Sequence, residues 1–153
     1  MGKLRPRFII IHHSATKDGA TFSWSAIRRY HITERGWVDI GYHYGVEQVG
    51  DGFEVMLGRM PDEEGAHCKE GGMNQLGFGV CLVGNFDEEV PPEAALVKLR
   101  EVVRYLMRAH EIPPRNVLGH REIGLRAGFN WELGQYKSCP GRMFSLEEFR
   151  ASL

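Results

Sequence analysis

The chain has 153 residues, 42% of them hydrophobic and 25% charged, with a formal net charge of -1. This is the make-up of one globular domain that buries roughly 70% of its extended surface on folding. The balance of 19 basic against 20 acidic residues leaves no electrostatic footprint for nucleic acid or an acidic membrane surface, and no apolar run approaches the ~20 residues of a transmembrane helix.

The basic start, Met1 to Arg7, is followed by only a short apolar block before His12. That block is too short for a signal-peptide core, so the expectation is a protein made and kept in the cytoplasm. Three cysteines, Cys68, Cys81 and Cys139, cannot all pair, and without a secretory signal no disulfide framework is expected.

The apolar block itself, Phe8-Ile9-Ile10-Ile11, reads as a central strand buried on both faces, ending on His12-His13. A group at the carboxyl end of such a strand is held still and faces a crevice. Lys17 to Thr21 reads as a polar loop with Asp18-Gly19 as its turn. Ser23 can cap a helix from about Trp24 to Arg35, closed by Gly36. Gly41 to Val46 reads as a second strand, Gly50-Asp51-Gly52 as a hairpin turn and Phe53 to Leu57 as a third strand. Pro61 to Gly72 is irregular, and Gly77 to Gly84 is a buried strand edged by glycines.

Pro91-Pro92 starts the longest helix, which runs to about His110 with Leu96, Leu99, Val103, Leu106 and Met107 as its apolar stripe, ended by Pro113-Pro114. Val117 to His120 is a short strand that again finishes on a histidine. Gly124 to Tyr136 carries mixed signals, and Ser145 with Glu148 forms a capping box for a terminal helix. Strands and helices are interspersed, so the expected class is α/β: a single domain over 1–153, with a central mixed β-sheet flanked by helices.

Two of these strands deliver a histidine at their carboxyl ends. If they are parallel neighbours, His12 and His120 face one crevice, and the loop with Cys139-Pro140-Gly141 can fold back over it. Two neutral imidazoles and a thiolate are a three-ligand zinc set that leaves a fourth position for water. Zinc there would lower the pKa of water to about 7 and polarise a carbonyl. No short motif fixes this geometry, because the ligands are separated by more than a hundred residues.

Six stretches carry a resemblance: Ile11 to Thr16, Gly36 to Tyr44, Gly65-Ala66-His67, Gly77 to Phe86, Gly119 to Ile123, and Ser138 to Gly141. In this order the chain resembles the zinc-dependent N-acetylmuramoyl-L-alanine amidases, of the type that includes bacteriophage T7 lysozyme and the peptidoglycan recognition proteins. The resemblance implies hydrolysis of the amide between the lactyl group of N-acetylmuramic acid and L-alanine in peptidoglycan, with one Zn2+. It places His12, His120 and Cys139 as the metal ligands and Tyr42 and Lys137 as catalytic residues. Tyr42 would hydrogen-bond the attacking water or relay a proton, and Lys137 would stabilise the oxyanion. His67 would contact substrate or simply shape its loop. A cysteine at 139, where non-catalytic recognition proteins often carry serine, argues for an active enzyme.

The same resemblance points to a phage or prophage endolysin, reaching the wall after release or by holin-assisted export. The expected partner is peptidoglycan or a muropeptide, with no nucleic acid and no membrane, and the protein is expected to be a monomer. RNA-polymerase binding enters by resemblance alone. A muropeptide-recycling amidase is the alternative enzyme, although that group typically has aspartate in place of Cys139. A non-catalytic peptidoglycan-binding or regulatory protein is the alternative of another class. The Arg121 to Ser138 connection is longer than in the T7 lysozyme type, and Gly124 to Tyr136 could wall the substrate cleft.

The remaining candidates have simpler readings. His13 and His43 should point away from the ligand face. His31 is read as a packing or hydrogen-bonding residue and His110 as a cation at a helix end. Cys81 is read as core and Cys68 as a loop thiol. Glu122 is read as a salt-bridged or solvated carboxylate rather than one that orients a ligand. Trp131 and Phe129 either cover the cleft or anchor the long loop.

Overall fold

Five strands pair in the order β3-β2-β4-β1-β5 in the computed structural model, which describes residues 2–16 and 23–153. They are β1 (Phe8–His13), β2 (Tyr44–Val49), β3 (Gly52–Leu57), β4 (Gly77–Leu82) and β5 (Val117–Gly119). β1, β2, β4 and β5 run parallel, and β3 returns antiparallel beside β2. Helices α1 (Ser23–Thr33), α2 (Met73–Leu76), α3 (Glu93–His110), α4 (His120–Arg126) and α5 (Leu146–Ala151) cover the sheet. The loop expected over 17–21 lies outside the described residues.

β1 is an interior strand with β4 and β5 on its two sides, so the middle of the sheet belongs to β4 rather than β1. Ile9, Ile10 and Ile11 are all fully buried. Ile9 and Ile11 join Phe78, Val80, Leu99, Val103 and Leu106 in the main core under α3. Ile10 faces the other way, among Met73, Leu118 and Ile123. Each such side chain contributes about 1.5–3 kcal/mol by leaving water. The period of two then splits the histidine pair, since His12 follows Ile10 and His13 follows Ile11. His13 accordingly accepts a hydrogen bond at Nδ1 from the Phe86 N–H at 3.1 Å, on the α3 side.

Three expectations are corrected. The second strand begins at Tyr44 rather than Gly41. The Ala66 N–H donates to the Gly41 carbonyl, and the Arg59 N–H donates to the Tyr42 carbonyl. That backbone therefore serves two neighbouring loops instead of a sheet ladder. β5 stops at Gly119, and His120 opens α4. Glu122 marks this turn by accepting the Gly119 N–H at 2.8 Å. With seven residues and a glycine in its second turn, α4 is too short for periodicity to announce it. Finally, α3 runs to His110 as expected, but it is closed by Glu111, whose positive φ of 54° turns the chain before Pro113-Pro114 is reached. The α3 stripe and the Ser145 cap, which accepts the Glu148 N–H at 3.2 Å, are as expected.

Candidate metal centre and cleft

The parallel pairing of β1 with β5 puts Ile11 opposite Gly119, so the next residues, His12 and His120, leave the sheet side by side. Their ring centroids are 4.8 Å apart. Cys139 comes from the loop after α4. The Arg121 N–H donates to the Cys139 carbonyl at 2.8 Å. The Arg121 guanidinium donates to the carbonyls of Ser138 at 3.2 Å, of Phe144 at 2.7 Å and of Gly141. Asp87 adds two anchors, accepting from the Ser138 hydroxyl at 2.9 Å and from the Arg142 N–H at 2.8 Å. The loop is thus clamped on both sides of its cysteine.

The ligand atoms of His12, His120 and Cys139 all lie within 4.8 Å of one another, and all three residues are buried. His12 Nδ1 is 3.6 Å from Cys139 Sγ. Tetrahedral zinc with Zn–N near 2.0–2.1 Å and Zn–S near 2.3 Å requires a separation of about 3.6 Å. Burial, then the charges of neighbouring His120, His67 and Lys137, hold His12 well below the usual imidazole range. Burial, then Lys137, pulls His120 down to about 4. Both rings are therefore neutral at pH 7, with lone pairs free to ligate. Burial pushes the Cys139 thiol up to about 12, so it keeps its proton until a cation displaces it. The donor set, its two neutral imidazoles and the His12–Cys139 separation fit a zinc ion that displaces the thiol proton on binding.

These three residues form the floor of a cleft of ≈ 320 Å³ that Tyr42 and Lys137 also line. The Tyr42 ring lies 5.2 Å from that of His12. Burial, then the neighbouring Cys81 and Cys139 thiols, raises the Tyr42 phenol well above its usual value. It is a neutral O–H donor throughout the physiological range. Lys137 is exposed and presents its ammonium to the same cleft.

His67 lines the same cleft, as its loop position suggested, but its ring nitrogens face inward. It is buried, its Nδ1 is 2.9 Å from His12 Nε2, and its Nε2 is 3.0 Å from the Gly77 carbonyl. Both nitrogens are used inside the protein. His43 likewise accepts the Gly79 N–H at Nδ1 (3.0 Å) and donates from Nε2 to the Glu63 carbonyl (2.7 Å), a structural role. His31 Nδ1 accepts the Gly41 N–H at 3.0 Å and its ring packs on Trp37 at 4.6 Å, yet with Arg35 it also lines the cleft. His110 packs on Phe78. Cys81 is fully buried, and Cys68 is a loop thiol that is itself buried.

Glu122 forms a bidentate ion pair with Arg150, at 2.6 and 2.9 Å, and does not orient a ligand. Trp131 lies under the Arg121 guanidinium at 4.7 Å, and Phe129 stacks on Tyr136, so both anchor the long loop. Spacing offered no signal for Glu70 and Tyr136. Cys68, Glu70 and His120 form a second group that could hold a metal ion, with ligand atoms within 4.8 Å. The Tyr136 hydroxyl donates to Glu70 at 2.7 Å, and its ring packs edge-on to His120 at 5.5 Å.

Comparison with known proteins supplies the context for this cleft. The family model described as N-acetylmuramoyl-L-alanine amidase matches residues 2–142. The endolysin of Klebsiella phage KP32 is 37% identical over 123 residues, which cover 70% of this chain and 76% of that protein. The endolysin of Enterobacteria phage K11 is 32% identical, with 82% of each chain covered. Among solved structures, the N-acetylmuramoyl-L-alanine amidase LysC from Clostridium intestinale URNW superposes with a TM-score of 0.76 at 28% identity, over 97% of this chain and 85% of that one.

Proposed function

The chain belongs to the N-acetylmuramoyl-L-alanine amidase family, and from that premise we propose that it is a zinc-dependent peptidoglycan amidase of the endolysin kind. The reaction is hydrolysis of the amide between the lactyl group of N-acetylmuramic acid and L-alanine. The observation that carries this reading is the convergence of His12 Nδ1, Cys139 Sγ and His120 on the floor of the cleft that Tyr42 and Lys137 line.

His12, His120 and Cys139 would hold the metal. When bound, zinc supplies Lewis-acid activation of water and of the scissile carbonyl. The chain's own groups do the rest. The Tyr42 hydroxyl, a phenol that burial keeps protonated even in alkaline solution, orients water through a hydrogen bond or passes a proton to the departing amine. The Lys137 ammonium faces the carbonyl oxygen, which gains charge as the carbon becomes tetrahedral. A charged donor in that place typically accounts for about 10²–10³ in rate. His12, Cys139 and His120 are themselves buried, and beside buried groups such contacts act more strongly than in open water.

No described helix is long and apolar enough to cross a membrane. As an enzyme of the endolysin kind it would reach the wall by release on lysis or passage with a holin. The test is digestion of purified sacculi. The expected result is release of stem peptides with a free L-alanine amine, abolished by chelator and restored by zinc. Tyr42→Phe and Lys137→Met should each keep bound zinc and lose at least about tenfold in kcat. Zinc-loaded protein that leaves sacculi of several wall types intact, while cleaving soluble muropeptides, would replace this reading with a recycling amidase.

A further inference from the structure

His67 takes no part in the chemistry just described, yet it is built in with unusual closeness. Its ring fills a slot between two glycines. A Cβ on Gly79 would lie 2.6 Å from His67 Cδ2 and Cγ, and one on Gly65 would lie 2.4 Å from Cδ2. These are distances that no real side chain occupies, so both positions must lack a side chain for the ring to sit there. The backbone is fixed as well, because Asn74 Oδ1 accepts the N–H groups of His67 at 2.7 Å and of Cys68 at 2.9 Å.

The hydrogen bonds of this ring have a direction. A carbonyl oxygen only accepts, so the nitrogen 3.0 Å from the Gly77 oxygen, Nε2, carries the proton. A neutral imidazole then has a bare Nδ1, and this atom stands 2.9 Å from His12 Nε2. His12 Nε2 must therefore carry a proton and donate it. That leaves the lone pair of His12 on Nδ1, the atom 3.6 Å from Cys139 Sγ. From the Gly77 carbonyl through two imidazoles, a single orientation of protons exposes one nitrogen to the metal cluster.

We propose that His67 is a positioning residue for the metal centre: it accepts the Nε2–H of His12 and thereby fixes the ring orientation and tautomer that turn Nδ1 toward Cys139 and His120. The inference rests on reading those three residues as the metal site. Ligand histidines commonly donate their second N–H to a carboxylate or backbone carbonyl, and loss of such a partner costs about 10–100-fold in metal affinity. Here a second imidazole stands between the ligand and the carbonyl, wedged by glycines.

The experiment has two arms on the full chain. In ¹⁵N-histidine-labelled protein, zinc-free and zinc-loaded, scalar coupling across the hydrogen bond should connect His12 Nε2 to His67 Nδ1, with the proton on His12. A proton on His67 Nδ1, or zinc bound through His12 Nε2, overturns the proposal. In the second arm, zinc dissociation constants are measured by competition with a chromophoric chelator. His67→Leu, which keeps bulk and loses the acceptor, should bind zinc about 10–100-fold more weakly. His67→Asn, whose Oδ1 can occupy the place of Nδ1, should recover most of that loss. Equal affinity in the wild type and both variants overturns the positioning role while leaving the metal site standing. Wild-type protein that binds no zinc overturns the metal reading itself. If His67→Leu does not fold, the coupling measured in the unaltered protein still decides.

Discussion

Replacing Arg121 with methionine isolates the clamp that holds the Cys139 loop. The guanidinium donates to the carbonyls of Ser138, Gly141 and Phe144 and lies on Trp131. Hydrogen bonds from a charged donor are worth about 1.5–3 kcal/mol each. The acceptors at Gly141 and Phe144 are buried and would be stranded, at about 1–3 kcal/mol apiece. Stacking on the indole adds about 0.5–1 kcal/mol. Release of the guanidinium from burial offsets part of the total, and methionine fills part of the space. The expected loss is about 3–5 kcal/mol, a large share of the ~5–15 kcal/mol that holds a domain of this size. Urea unfolding with chelator present measures it without the metal's contribution. Arg121→Lys should recover less than half, because a compact ammonium does not span three carbonyls as a planar fork does. A loss below about 1 kcal/mol, or full recovery with lysine, would refute the clamp.

Further outcomes follow from the same contacts. Glu122→Ala removes the bidentate pair with Arg150 and the acceptor for the Gly119 N–H. It should cost about 1–3 kcal/mol, read as a lower urea midpoint at unchanged slope, and Glu122→Gln should cost less. Burial lowers His43 to about 4, against about 6.5 in an unfolded chain. The unfolded state therefore binds more protons between these values. His43 contributes its full stabilisation above about pH 6.5 and loses it as pH falls toward about 4, with roughly 2 kcal/mol gone by pH 5. Chelator-treated His43→Gln should accordingly show a shallower fall in stability between pH 7.5 and 5, and an unchanged slope would contradict this account.

The legible part of the fold was the part written in long or strictly alternating patterns. Ile9 to Ile11, the α3 stripe and the Gly50 hairpin each declare themselves within one segment, because side chains there answer to a local period. The pairing of His12 with His120 was legible only as a condition, since it depends on β1 and β5 being parallel neighbours, a fact about the sheet. What sequence reasoning placed less well depends on loops. His67 was legible as a residue bordering the cleft, which it does line; that its two nitrogens are both used inside follows from how Gly77 and Gly79 approach it. Glu70 and Tyr136 meet across 66 residues of chain, and no periodicity encodes such a contact. The start of α4 at His120 was hidden for a related reason, since its cap comes from a single glutamate rather than from a repeating stripe.

Zinc stoichiometry read alongside product chemistry tests the central claim most directly. Metal-free protein is titrated with zinc, and each point is assayed on purified sacculi for new L-alanine amines. The account predicts that amine release rises linearly to one zinc per chain and then levels off, and that His12→Ala, His120→Ala and Cys139→Ala each remove both binding and release. Amine release by metal-free protein, or release of new reducing sugar ends in place of L-alanine, would contradict it.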